Sequence, residues 1–345
     1  MPTLKDIAAR AGLSAMAVSK ILNGRNLEKW PGARMRAERV RAIAKELDYR
    51  PDCAARAMKS KSLKQIGAIL LNTGKYNLYY MAAYEYVAGM NAWLQKDGYT
   101  LSVIRLSDFM GDLDTQRFFQ ERMLDGVICV GLVADESFMG RLEANTGNCI
   151  WLDCNTWKDE RCLRRDEVQA GYKAAKGLLD AGCRKIVWRP LSPGLMHFSS
   201  AERDAGARAA IREHGAAELV ELPNGLGYNG VFSIPAFAKA SSLRAARLGI
   251  LATDYFAAQQ TLAAGAKLGF APGFDYALAS CDEHSDACYV WPELSRVENW
   301  RYEYGERAAG MMMELLAGRP APSVKIGGEL RKGGTCALKH PRRGL

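Results

Sequence analysis

The chain has 345 residues, and its 48 % hydrophobic and 25 % charged content is typical of a folded protein with a sizeable core. No segment has the roughly 18 apolar residues of a membrane span, and the first residues lack the order of a secretion signal, so we expect a cytoplasmic protein. The positive charge is concentrated at one end. Residues 1–62 hold 14 Lys and Arg against 6 Asp and Glu, whereas the remainder holds 33 against 32. Such a segment predicts contact with a polyanion, most simply nucleic acid.

Three helices are predicted within this basic segment. The first follows a T-x-x-D capping pattern at Thr3 and ends at Gly12, and Ser14 can cap the second. The apolar face of the second helix consists of Val18, Ile21 and Leu22. A third helix is expected over about 35–47. This is a helix-turn-helix arrangement, whose second helix enters the DNA major groove. A plain helical hairpin is the alternative, and the local positive charge favours DNA binding.

From residue 65 onward, apolar strands alternate with helical patterns. The predicted strands are 66–72, 100–106, 126–132 and 149–153, followed by 185–189, 218–222, 248–253 and 276–281. In the first series, the predicted helices are 82–97, 112–123 and 136–145. Two successive series predict two doubly wound α/β domains with parallel sheets, whose ligands bind beyond the carboxyl ends of the strands.

Particular segments resemble the LacI/GalR family of bacterial transcriptional regulators. The specific ones are TLKDIAARAGLSAMAVSKILNG, RVRAIAKELDYRPD and AARAM, and weaker ones are RDEVQAGYKAAKGLLDAGCRKI, SAERDAG, ILATDYFAAQQTLAAGAKLG and PELSRVENW. The resemblance implies an all-α helix-turn-helix headpiece and an α/β core of two doubly wound parallel-sheet subdomains, like periplasmic binding proteins. The implied boundaries are 1–50 for the headpiece, 51–64 for a hinge helix and linker, 65–164 with 294–322 for one subdomain, and 165–293 with 323–336 for the other. It also implies a homodimer on a palindromic double-stranded operator, with a small effector between the subdomains.

The resemblance also assigns DNA-contacting positions. The base-contacting positions fall on Ala15, Met16 and Lys20, where the apolar pair suits thymine methyl groups and the lysine can donate to guanine. The implied phosphate contacts are Thr3, Ser14, Ser19 and Asn23. Met58 stands where the family has a leucine that wedges into the minor groove. The segment RNLEKWPGARMR makes the following loop longer than the family's.

The effector positions are assigned in the same way. They are Asp153, Arg203, Thr253, Asp282 and Asn299, with Tyr79, Tyr80 and Phe198 as candidate stacking surfaces. Paired carboxylates with an arginine suit a polyhydroxy or small anionic ligand, so we expect a sugar or sugar derivative. At two of these positions the chain departs from the family, since Thr253 replaces an asparagine and Asn299 a glutamine.

Other functions receive little support from the sequence. GLGYNG at 225–230 matches the dinucleotide-binding pattern, but Pro235 follows where a helix would be needed, so we predict a loop. The four histidines share no metal-ligand spacing and the nine cysteines form no C-x-x-C, so we expect neither metal nor cofactor and no enzyme activity. The competing hypotheses are a transporter's solute-binding protein and a nucleotide-dependent enzyme. A ligand-responsive repressor is the prediction.

Overall fold

The computed structural model describes residues 2–24, 29–50, 62–71, 79–106, 113, 116–131, 136–188, 197–221, 248–284, 289 and 291–337. The chain divides into two compact units, residues 1–63 and 64–345. Met58 and the GLGYNG segment, on which two of the sequence predictions fall, lie outside the described residues. None of the described helices is long and apolar enough to span a membrane.

The smaller unit, the headpiece, is a three-helix cluster. Its helices are α1 (Leu4–Ala11), α2 (Ala15–Leu22) and α3 (Pro31–Glu46). The first helix ends at Gly12, which adopts the left-handed conformation with φ 67° that glycine allows. The Ser14 side chain accepts a hydrogen bond from the Ala17 N–H at 3.2 Å, so its predicted capping role is confirmed. The third helix begins at Pro31, before the predicted start near residue 35, because proline fits the first helical position.

The larger unit, the core, contains two six-stranded sheets, which define a first and a second lobe. The strands of the first sheet are β1 (Gln65–Leu71), β2 (Thr100–Leu106), β3 (Gly126–Val130), β4 (Cys149–Leu152), β5 (Cys162–Arg165) and β11 (Val324–Ile326). Those of the second sheet are β6 (Lys185–Trp188), β7 (Glu218–Glu221), β8 (Leu248–Ala252), β9 (Ala277–Ser280), β10 (Ser295–Glu298) and β12 (Glu329–Arg331). The first sheet has the order β11-β5-β4-β3-β1-β2, and the second has the order β12-β10-β9-β8-β6-β7. Only the β10–β12 pairing is antiparallel among the described strands, so the two predicted parallel sheets are confirmed.

Helices cover these sheets. The first lobe has α4 (Tyr79–Lys96), α5 (Arg117–Gln120), α6 (Glu136–Thr146) and α10 (Arg301–Leu316), and the second has α7 (Glu167–Asp180), α8 (Phe198–His214) and α9 (Tyr255–Lys267). Alternate residues of one strand enter opposite layers. Ile128 packs with the α4 and α10 layer, whereas Val127 and Cys129 pack with the α6 layer. Burial on both faces explains why the sequence shows nearly continuous apolar runs here.

Some strands escaped the sequence prediction. The missed strands β5, β11 and β12 have the sequences CLRR, VKI and ELR, which are short and charged and therefore resemble loops. Strand β10 pairs with β9 in the second sheet, and β11 pairs with β5 in the first. The chain therefore passes from one sheet to the other after β10 and again after β11. Both points lie a few residues later than the predicted subdomain boundaries after residues 293 and 322. Within the region where a helix was predicted over 112–123, the structure describes a helix over 117–120, which ends three residues before the predicted end.

A pair of glycines brings two helices into close contact in each lobe. A Cβ added at Gly206 in α8 would lie 1.9 Å from the Val168 carbonyl oxygen, and one at Gly171 in α7 would lie 2.1 Å from that of Arg203. In the first lobe, a Cβ at Gly305 in α10 would lie 2.2 Å from the carbonyl oxygen of Tyr86 in α4. Side chains cannot be accommodated at such distances, so these contacts fix the positions of Arg203 and Tyr86.

We expect Gly206→Ala to destabilise the core by at least about 3 kcal/mol, because the new methyl group would meet a backbone carbonyl that cannot rotate away. The matched control is Gly140→Ala on the exposed face of α6, where a Cβ meets nothing within 4 Å. That change should stabilise the helix by up to about 1 kcal/mol. Urea unfolding followed by tryptophan fluorescence measures both. Equal effects of the two substitutions would contradict the helix-packing argument.

Candidate functional site

The exposed face of α2 carries the predicted base-contacting side chains. Met16 is 67 % exposed, and Lys20 is exposed one helical turn further on. Opposite them, Val18 and Ile21 are buried against α1 and α3. Ala15, the third predicted base-contacting residue, is half-buried and packs against the headpiece core. The surface available to a base edge is therefore formed chiefly by a thioether and an ammonium group.

The four predicted phosphate-contacting residues differ in their present hydrogen bonds. The Thr3 backbone N–H and hydroxyl both donate to the Asp6 carboxylate, at 2.7 and 2.8 Å. Asn23 donates from its amide to the backbone and side-chain oxygens of Ser19. Ser14 and Ser19 accept hydrogen bonds, which uses a lone pair and leaves the hydroxyl hydrogen able to bond to a phosphate. Thr3 and Asn23 would first have to leave their partners.

The predicted effector positions in the core converge. Asp153 follows β4, Thr253 follows β8, Asp282 follows β9, Asn299 follows β10, and Arg203 lies in α8. All five are at most 7 % exposed. Hydrogen bonds join four of them directly, and Arg165 connects Asp153 to Asp282. Tyr79 and Tyr80 lie in the first turn of α4, but their side chains lie outside the described part. The structure thus brings the five polar residues of the predicted effector site together between the lobes.

Asp282 is the centre of this group. Its Oδ2 atom accepts from Arg165 Nη1 at 3.0 Å and from Arg203 Nη2 at 3.1 Å. Its Oδ1 atom accepts from Asn299 Nδ2 at 2.9 Å and Arg301 Nη2 at 2.5 Å. The donors come from both lobes, since Arg165 ends β5 and Arg301 begins α10, whereas Arg203 lies in α8. One carboxylate therefore ties the two sheets together.

Two further carboxylates complete the arrangement. Glu167 accepts from Arg203 Nε at 2.6 Å and Nη2 at 2.8 Å, and it pairs with Arg165 Nη2 at 3.0 Å. Asp153 accepts from Arg165 Nε at 2.6 Å and from the Tyr86 hydroxyl at 2.5 Å. We call the six charged residues the interlobe cluster: Asp153, Arg165, Glu167, Arg203, Asp282 and Arg301. Three carboxylates face three guanidinium groups.

His197 adds a neutral contact between the lobes. Its Nδ1 atom caps α8 by accepting from the Ser199 N–H, and Nε2 lies 2.8 Å from the Asp153 carbonyl oxygen. This arrangement assigns the hydrogen to Nε2. Burial lowers the pKa of His197, which keeps the ring uncharged at neutral pH. Asp153 itself has φ 51°, a conformation that non-glycine residues rarely adopt.

The guanidinium groups keep the buried carboxylates ionised. Burial alone would raise the pKa of Asp282, but the positive charges of Arg301, Arg165 and Arg203 outweigh it and hold that pKa well below its ordinary value. Because the folded pKa lies below the unfolded one, Asp282 contributes stability at neutral pH, and that contribution is lost only as the pH falls below about 4.

A second set of side chains lies beside the interlobe cluster. The Arg164 guanidinium stacks 4.1 Å from the ring centroid of Phe198 and 5.4 Å from that of the half-exposed Trp157. Lys325 in β11 pairs with Glu202 in α8 at 3.3 Å. Phe198 was a candidate surface for a sugar ring, but one side of it is already covered by Arg164. These contacts also join the two lobes.

The sequence did not identify four members of this site. Arg165, Glu167, Arg301 and Tyr86 were not predicted, although Arg165 ends a strand, where α/β proteins place ligand-binding groups. That signal was hidden because the charged strand CLRR was not recognised. No metal-binding group of His, Cys, Asp or Glu occurs among the described residues. The described cysteines are buried free thiols, and burial raises the pKa of Cys149 to about 12.

Comparisons with known proteins identify relatives. Residues 3–52 match the family model for bacterial regulatory proteins of the lacI family. The HTH-type transcriptional repressor PurR of Aliivibrio salmonicida is 25 % identical over 329 residues, covering 92 % of each chain. The Lac repressor dimer bound to operator and the anti-inducer ONPF has a similar fold, with TM-score 0.75 and 19 % identity over 98 % of this chain and 99 % of that one. A complex of the regulator CelR with cellobiose has TM-score 0.63 and 19 % identity, over 97 % and 100 % of the two chains.

We expect Arg203→Met to destabilise the core by about 3–5 kcal/mol, because Glu167 and Asp282 each lose a buried hydrogen-bonded partner. The matched control is Arg319→Met, which removes an exposed arginine paired with Glu314 and should change stability little. Urea unfolding at pH 7 measures the difference between them. A tolerated Arg203→Met would mean that the interlobe cluster contributes little to the fold.

Proposed function

We propose that this chain, a member of the LacI family of bacterial regulatory proteins, represses transcription by binding operator DNA through its headpiece, with an affinity changed by a small molecule bound between the two core lobes. The observation that carries this proposal is the exposed face of α2, with Met16 and Lys20 on a unit rich in positive charge. The relatives reported above are transcriptional repressors and regulators, not enzymes. A transporter's solute-binding protein does not bind DNA, so its function would not require such a face.

DNA recognition follows from the chemistry of this face. Lys20 has hydrogen-bond donors for guanine O6 and N7, and Met16 presents an apolar surface to a thymine methyl group. Phosphate contacts are proposed for the hydroxyls of Ser14 and Ser19, which accept hydrogen bonds and keep their own hydrogen to donate. Such contacts fix a helix on the duplex without specifying sequence. The phosphate contacts of Thr3 and Asn23 require rearrangement of their present bonds. Met58 is proposed as a minor-groove wedge from the sequence alone.

A homodimer on a palindromic operator is the assembly we propose. One of the structural neighbours is a repressor dimer bound to operator. Two headpieces would then contact half-sites about 10 base pairs apart, on one side of the double helix. The subdomain boundaries that accompany this proposal follow the sheets, so that β10 belongs to the second lobe and β11 to the first.

The effector is proposed to be a sugar or sugar derivative bound near Asp153, Arg203, Thr253, Asp282 and Asn299. Carboxylates, an amide and a guanidinium group together bond vicinal hydroxyls well. The neighbour CelR is a complex with cellobiose, which supports a carbohydrate for a core of this fold. A molecule that contacts both lobes changes their relative populations of open and closed states only through its different affinity for each.

We expect Lys20→Ala to reduce operator affinity by about 1–3 kcal/mol, concentrated at one base position. The operator is first selected from random duplexes, and binding is then measured on single-base variants at several salt concentrations. The control, Lys45→Ala, removes an exposed positive charge from the last turn of a different helix, α3. Losses that are equal on operator and scrambled duplexes would make Lys20 a phosphate contact.

A thermal-shift screen of sugars, sugar acids and purines should find a compound that stabilises the protein and changes operator binding. Thr253→Val should weaken that stabilisation, because it removes a hydroxyl at a proposed effector position. Thr261→Val is the matched control, since this equally buried threonine bonds within α9 to the Ala257 carbonyl oxygen. An equal response of both variants to the compound would place its binding site elsewhere.

A further inference from the structure

The guanidinium group of Arg165 is held as a bound ligand would be. All three of its nitrogens have carboxylate partners, namely Asp153 at 2.6 Å, Glu167 at 3.0 Å and Asp282 at 3.0 Å. Asp153 belongs to the first lobe, whereas Glu167 and Asp282 belong to the second. The side chain is only 6 % exposed. One guanidinium therefore bridges the lobes at the proposed effector position.

The cluster satisfies its own hydrogen-bonding groups. No side-chain nitrogen or oxygen of its six residues is among the buried polar atoms that lack a partner in the described parts of the chain. The Asp282 oxygens accept hydrogen bonds from five donors, four side chains and the Glu283 backbone N–H, which more than fills the usual capacity of a carboxylate. A molecule that bonds to these carboxylates must therefore replace a donor that is already present.

Arg165 is the donor that such a molecule can replace with least disturbance to the rest. Arg203 is fixed by the glycine contact between α7 and α8, and its Nη1 also donates to the Thr253 carbonyl oxygen at 2.6 Å. Arg301 also donates to the Glu283 carbonyl oxygen at 2.6 Å. Within the described part of the chain, the Arg165 guanidinium by contrast bonds to carboxylates alone, so a ligand with comparable donors reproduces its bonds.

We propose that Arg165 is an internal ligand of the core, which holds the two lobes together until a small molecule takes its place. The proposal rests on the proposed function only in identifying this region as the effector site. Without Arg165, three carboxylates face two guanidinium groups, so the site carries one net negative charge. The replacing molecule is therefore uncharged and rich in donors, or cationic, and the sugar acids are excluded.

Chemical rescue of Arg165→Ala tests this directly. The variant should melt about 5–10 °C below the wild type, because three buried carboxylates lose a shared partner. Millimolar ethylguanidinium chloride, which matches the missing side chain, should restore much of the loss in a saturable manner. Choline chloride at equal ionic strength and sodium acetate should not. Arg319→Ala, which removes an exposed arginine, should show no rescue. A folded Arg165→Ala that ethylguanidinium does not stabilise overturns the proposal, as does equal stabilisation by acetate.

If Arg165→Ala does not fold, Arg165→Lys decides the question. A single ammonium group cannot span three carboxylates, so the full-length variant should be more open than the wild type, with a larger radius of gyration in small-angle X-ray scattering. A scattering profile identical to that of the wild type would refute the internal ligand. Failure of the proposed function is a distinct result, because that function predicts operator binding by the wild type regardless of how the Arg165 variants behave.

Discussion

The carboxylate of Asp282 is where the two lobes of the core are joined, and much of the structure is arranged around it. Taking a carboxylate out of water is tolerated only when donors replace its hydration, and here Arg165, Arg203, Arg301 and Asn299 do so. Each guanidinium in turn needs its own acceptors, which Glu167 and Asp153 provide. Charge balance among six buried residues is thus one condition of the fold and not a local detail. Removal of any member leaves at least one other with a hydrogen-bond or charge partner fewer.

The sequence predicted the architecture well because its signals are local. Apolar runs separated by helical patterns indicated two parallel sheets, and Ser14 and Gly12 marked the ends of short helices. The effector positions Asp153, Thr253, Asp282 and Asn299 came instead from the resemblance to the LacI/GalR family. The partners of these residues were missed because nothing local distinguishes them. Arg165 ends a strand too charged to be recognised, and Arg301 begins a helix in which it looks like any surface arginine.

In the headpiece, too, some features follow from the sequence pattern and others do not. The buried faces of its helices follow from spacing alone, whereas the hydrogen bonds of the exposed side chains do not. Thr3 donates to Asp6, and Asn23 turns back to Ser19, so two residues expected to face phosphate are occupied within the headpiece. Ala15 is shared between the protein core and the exposed face because it lies at the margin of a two-turn helix. Which hydrogen-bond partner an exposed side chain takes depends on the other partners within reach, and a sequence pattern does not show which of them it bonds to.

The glycine contacts have a mechanical consequence. In each lobe, two long helices touch backbone to backbone, at Gly171 and Gly206 in one and at Gly89 and Gly305 in the other. Two helices in such close contact cannot slide past each other without a collision between their backbones. Shear inside a lobe is therefore suppressed, and each lobe turns as a solid block. The lobes can move relative to each other only at the three places where the chain passes from one sheet to the other. Loss or replacement of a hydrogen bond to Asp282 would therefore rotate one lobe against the other.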